Sequence, residues 1–254
     1  MITTDVTWLQ VAASVLLVAV AVAVAVHQRF GLTRDLLIAS ARAAAQLAAV
    51  GVVLLLLFQH AGLLGAAGWV GLMVLVAGHV AGRRGRGVPR GWLLATVAIA
   101  VGSLVSLASL LLLGVLPARP EVVVPIGGMI VATAMQATGL TLLRLVEDVR
   151  HARPVIEARL ALAMSLVDAF APHRRSAART ALLPAIDSTK VVGLISLPGA
   201  MTGLILAGVD PLTAIRYQIV VMYMLLAAAT VAAAVASHLA QRRLFDTTAH
   251  RLRR

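Results

Sequence analysis

Asp187 and Lys190 stand three residues apart at the head of an apolar stretch, with Ser188 and Thr189 between them. Lys190 is the only lysine in the chain. On a helix that spacing puts both side chains on one face, so mutual neutralisation is the first chemistry expected of them. A hydrolytic Ser188–Lys190 pair would need an oxyanion hole, and nothing nearby supplies one. A second set lies in VVVPIGGMIVATAMQATGL, where Met129, Thr133, Met135 and Gln136 could line a path through a membrane. The competing reading of that stretch is a tight helix pair. Gly128, Ala132 and Gln136 recur every four residues, which brings small residues and one amide onto a shared face. Thioether sulfur suits soft metals and ferrous iron prefers imidazole and carboxylate, so the methionines do not by themselves point to iron. The third set is Pro198, Gly199 and Met201 in LPGAMTG. Irregular backbone at membrane depth is tolerated where it is buried in protein or faces water, so it reads as a gate or as a proline kink.

Some chemistries are excluded or left open by the same residues. GxxxxGK[ST] does not occur, so no P-loop is available and the chain reads as a non-enzyme that binds no ATP–Mg itself. There is no cysteine, and the seven histidines form no HExxH or paired spacing. No metal ligands can be assigned.

The elements that must position these residues are apolar helices. The chain has 254 residues, 61% hydrophobic and 13% charged. Runs of about 20 apolar residues, enough to cross a ~30 Å hydrocarbon layer, recur along it. The fold class is all-α, a polytopic membrane protein forming one permease domain over residues 1–254. Seven spans are predicted, over roughly 8–26, 36–58, 63–80, 92–116, 122–143, 184–207 and 211–239. Arginines crowd the loops after the first, third and fifth spans and the C-terminus, while the other loops carry almost none. Cytoplasmic loops accumulate Arg and Lys, which predicts the N-terminus outside and the C-terminus inside. The same placement explains the formal charge of +12 without nucleic acid. Met1–Gln10 holds Asp5 and no basic residue, so no cleavable signal is expected.

One segment, about 144–183, is too charged to span. Within it Ile156, Leu160, Ala163, Val167 and Phe170 follow one another at steps of four, three, four and three, the stripe of an amphipathic helix. Glu157, Arg159, Ser165 and Asp168 lie off the stripe. Pro154 is expected to start this helix and Pro172 to stop it. Its apolar face needs a cover: either a separate ATP-hydrolysing subunit, for which it would be a coupling helix, or the underside of its own bundle.

From Val124 to Leu226 the residues carry a resemblance. PIGGMI with Ala134-Met135 and Gly139-Leu140, then LLPAIDSTKVVGLISLPGAMTGLILAGVDP and AIRYQIVVMYMLL, resemble the FetB-type iron-export permeases of ABC transporters. The resemblance implies a permease in the bacterial plasma membrane, working as a homodimer with a soluble P-loop ATPase that carries the ATP–Mg. It also implies export of iron, or of something handled with iron. The rivals are a permease for another metal or a small organic anion, and a non-transporting membrane scaffold or sensor. That family tends to have Leu-Gly-Ala where this chain has Leu162-Ala163-Met164.

Overall fold

The computed structural model describes residues 7–60, 62–246 and 251–252. It falls into two units, Met1–Ala61 and Gly62–Arg254. The first is a helical hairpin of α1 (Trp8–His27) and α2 (Thr33–His60). Thr7 and Gln10 close a capping box at the start of α1, each side chain accepting from the other's backbone N–H. Leu9, Leu16, Leu17 and Val20 are exposed, as on a helix whose solvent is lipid.

The second unit contains α3 (Gly62–Arg84), α4 (Gly91–Leu112), α5 (Pro120–Ala161), α6 (Leu166–Val191), α7 (Gly199–Leu206) and α8 (Pro211–Leu244). A two-residue antiparallel pair, β1 (Phe245–Asp246) with β2 (Arg251–Leu252), follows α8. Small residues set the packing. A Cβ on Gly102 of α4 would lie 2.8 Å from the Ala228 carbonyl oxygen and 2.9 Å from the Ala232 Cβ, so α4 and α8 touch almost backbone to backbone. Ala228, Ala232, Ala236 and Ala240 continue that seam along α8, all fully buried. Among the described residues, α1, α3, α4, α5 and α8 are long and apolar enough to cross a membrane. The chain is a multi-pass membrane protein.

α5 departs from expectation. It runs for 42 residues, about 63 Å, twice what a ~30 Å hydrocarbon layer needs. Pro154 therefore does not start a helix but sits inside one, and Pro172 and Pro184 lie inside α6. An interior proline costs about 3 kcal/mol. Ile156 and Leu160, just beyond Pro154, are both buried and offset that cost at roughly 1.5–3 kcal/mol each. The predicted single helix from Pro154 to Pro172 is instead an elbow between two helices. Arg159 and Leu160 carbonyls accept from Met164 and Ala163 in a Schellman turn, with Ala163 in the left-handed conformation at φ 61°. Ser165 then caps α6, its hydroxyl oxygen accepting from the Asp168 N–H at 3.1 Å.

The sixth predicted span is likewise not one helix. α6 ends at Val191, a non-helical stretch follows through Pro198, and α7 is only eight residues long. The break was expected at Leu197–Gly199 but begins earlier, at Val192, which is extended, followed by Gly193. Gly193 has φ 83°, and its N–H donates to the Ser196 carbonyl.

Candidate functional site

Midway along the second unit, α5, α6 and α8 part around a cleft of about 220 Å³. Thr133 and Gln136 of α5 and Ser188 and Thr189 of α6 are its polar wall, while Met222 and Leu226 of α8 form part of the apolar one. The hydroxyl protons are already committed to backbone. Thr133 donates to the Met129 carbonyl at 2.9 Å, and Ser188 and Thr189 both donate to the Ala185 carbonyl at 2.9 and 2.8 Å. What each hydroxyl has left is an oxygen acceptor. Gln136 is exposed and adds an amide that can accept or donate. Pro184, also lining the cleft, has no N–H for the carbonyl one turn before it, so the α6 ladder is interrupted there. The cleft offers neutral oxygen and no lining carboxylate, imidazole or thiolate. Among the described residues no cluster of three or more metal-binding side chains occurs anywhere.

Of the sequence-predicted path residues, the structure gathers Thr133 and Gln136. Met129 and Met135 are turned into apolar packing instead, Met129 beside Ile126, Ile130 and Met224, and Met135 against the main core. Gln136 and Ala132 are exposed, so the four-residue repeat through Gly128 does not make a helix seam within this chain. Asp187 and Lys190 do pair, at 3.2 Å, but both side chains are about two-thirds exposed and outside the cleft. Pro198, Gly199 and Met201 lie at and in α7, away from the lining. Sequence reasoning weighed Ser188 only as a hydrolytic partner of Lys190 and did not place Ser188, Thr189 or Met222 on a path. The signal was there: two hydroxyls one turn beyond a proline in an apolar run.

The elbow separates the coupling residues. Ile156 and Phe170 are fully buried and Leu160 is 7% exposed, all within the chain's own core beside Ala169, Ala177 and Leu244. Phe170 meets Phe245 edge to face at 5.2 Å and His173 at 5.8 Å. Leu160 and Phe170 therefore anchor their own bundle and are not free to anchor a partner subunit. Glu157, Ala163 and Val167 are exposed, and Glu157 is held by Arg153 at 2.8 Å. Leu162, 79% exposed, and Met164 complete an apolar tip that the stripe did not include. Arg159 braces the tip by donating to the Ala169 carbonyl at 3.2 Å.

Residues 8–245 match the family described as "Uncharacterised protein family (UPF0014)". The chain belongs to the UPF0014 family. It is 46% identical over 231 residues to the UPF0014 membrane protein STAR2 of Oryza sativa subsp. japonica, covering 89% of this chain and 80% of that one. It is 39% identical over 232 residues to the protein ALUMINUM SENSITIVE 3 of Arabidopsis thaliana, covering 90% and 84%. Against the probable iron export permease protein FetB of Escherichia coli it is 37% identical over 240 residues, covering 93% and 91%. No solved structure matches the chain.

Proposed function

We propose that this UPF0014 chain is the membrane subunit of an ABC transporter that moves a metal, with iron the leading cargo, out of the cytosol. The observation that carries the reading is the cleft: a patch of oxygen acceptors between α6 and the two spanning helices α5 and α8. Hard metal cations take oxygen ligands, and neutral oxygens hold them loosely enough to let go. A site built for passage needs that weakness, whereas a storage site would gather carboxylates. The similarity to a probable iron export permease supports the same cargo.

In this reading the chain crosses the bacterial plasma membrane seven times, N-terminus outside, and works as a homodimer with a separate P-loop ATPase that binds ATP–Mg. The basic end, with Arg83, Arg84 and Arg86 and the α5–α6 elbow, faces the cytosol. The ATPase docks on the exposed tip formed by Leu162, Met164 and Val167, with Glu157 and Ala163 beside it. Burial of a large apolar anchor contributes roughly 1.5–3 kcal/mol, one to two decades in affinity.

Two measurements test this. Cells expressing the chain with its ATPase should hold less iron than cells lacking the pair, and Thr133→Val with Gln136→Leu should abolish the difference while leaving protein levels intact. Unchanged iron with a changed level of another metal or of an organic anion would redirect the cargo. Separately, Leu162→Asp and Val167→Asp should abolish co-purification with the ATPase without moving the melting temperature by more than about 0.5 kcal/mol equivalent. Retained co-purification in both variants would remove the elbow as the docking point.

A further inference from the structure

A second cavity, of about 180 Å³, lies between the first turns of α4 and the last turns of α8. Its lining is Arg90 and Arg243 above Leu93, Leu94, Val97 and Leu239. The two arginines share one level because the helices are antiparallel and in register. Gly102 seats between Ala228 and Ala232, so twelve residues back along α4 and about twelve on along α8 reach Arg90 and Arg243. Both side chains are exposed, and among the described residues neither forms a hydrogen bond or ion pair. Arg90 holds the left-handed φ of 56° at the N-cap of α4, and its side chain makes no cap bond. Below the arginines the walls turn wholly apolar. Val97 lies seven residues into α4, about 10 Å further along the helix. Trp92, in the first turn of α4, is 52% exposed, as aromatics are where hydrocarbon meets water.

We propose that Arg90 and Arg243 bind the phosphate of an anionic phospholipid whose acyl chain occupies the groove between α4 and α8. Two guanidinium groups without carboxylate partners among the described residues match a phosphodiester, to which arginine donates paired N–H groups. The apolar floor matches an acyl chain and has nothing to offer a soluble anion. Basic pockets between spanning helices at the inner face bind such head groups for these reasons. The occupant is a lipid of the leaflet on the arginine-rich side.

The test is native mass spectrometry of the purified full chain in detergent, titrated with phosphatidylglycerol or phosphatidylcholine. Phosphatidylglycerol should bind at least tenfold more tightly. Arg90→Gln and Arg243→Gln should each weaken it about fivefold, and the double variant about 25-fold, the factor expected of interfacial arginines. Phosphatidylcholine binding should not change, and Arg83→Gln should leave both lipids unaffected. Millimolar glycerol 3-phosphate should fail to displace the lipid. Equal binding of the two lipids, or an equal loss in Arg83→Gln, would overturn the site in favour of general surface charge. Displacement by glycerol 3-phosphate would overturn the lipid in favour of a soluble phosphate. If the glutamine double variant fails to fold, the double Arg→Lys variant decides: it must keep the preference for phosphatidylglycerol within about threefold.

Discussion

At the elbow, Ile156 and Leu160 of α5 share one apolar cluster with Ala169 and Phe170 of α6, sealed by Phe245 and Leu252 beyond α8. Some twenty residues from the elbow, back along α5 and forward along α6, Thr133 and Gln136 face Ser188 and Thr189 across an open cleft. The helices are the same and only the side chains differ. Large apolar groups close the elbow end, while short polar ones hold the middle apart. Burial at the elbow fixes how α5 and α6 meet, at roughly 1.5–3 kcal/mol for each large side chain. The cleft walls contribute little of that kind, so their composition is free to serve a cargo. The comparison separates residues that hold the hairpin from residues that use it.

The sharpest way to break that comparison is to truncate one side chain at each end. Phe170→Ala should cost about 3–5 kcal/mol, because it empties a fully buried site and removes the ring contacts to Phe245 and His173. Thr133→Val in the cleft should stay within about 0.5 kcal/mol. Thermal melts of the purified chain measure both. Equal losses would mean that the cleft wall is as structural as the elbow.

A smaller effect is expected at the start of α6. Ser165→Ala removes the hydroxyl that accepts from the Asp168 N–H, and such caps contribute about 1 kcal/mol. The same variant should loosen the tip, which hydrogen exchange at Val167–Ala169 would register as faster exchange. No change there would mean that the Schellman turn alone fixes the elbow.

The elbow also marks where the sequence could and could not be read. The spans were legible because runs of Ala, Val and Leu near 20 residues have few other uses, and α1, α3, α4 and α8 fall close to the predicted limits. The stripe through Ile156 and Phe170 was legible as apolar, and three of its five residues are buried. Its partner was not, because periodicity says that a face is covered and not by what. Proline at both ends of the segment misled: tertiary burial outweighed the lost hydrogen bonds, and the helices ran through Pro154 and Pro172. The true boundary was written in Ser165-x-x-Asp168, a capping pattern sitting inside the stripe. In the cleft, Thr133 and Gln136 stood out as polar residues within a span, but Ser188 and Thr189 were overshadowed by the charges on either side.

Those charges offer the next test. Asp187 and Lys190 were expected to protect each other from a desolvated environment, yet on this chain both are exposed. A double-mutant cycle of Asp187→Asn and Lys190→Gln on stability should therefore give a coupling of about 0.2–1 kcal/mol, the range for exposed pairs. A coupling of several kcal/mol would mean that assembly or lipid buries the pair, and would attach it to the cleft side of the comparison.

The smallest effect is expected from Ala163, at the point where α5 becomes α6. Its φ of 61° brings Cβ close to the following carbonyl, at roughly 1–2 kcal/mol for any residue but glycine. The Schellman turn demands that conformation, since the Met164 N–H must reach back to the Arg159 carbonyl. Ala163→Gly relieves the clash and gives back about 0.5–1 kcal/mol through the freer unfolded chain. The net result should be a gain of a few tenths to about 1 kcal/mol, read as a small rise in melting temperature. Ala163→Val should move the other way, because a β-branched side chain fits the left-handed region worst. If glycine lowers stability and valine does not, the elbow is not the left-handed turn described, and α5 and α6 would join by another path.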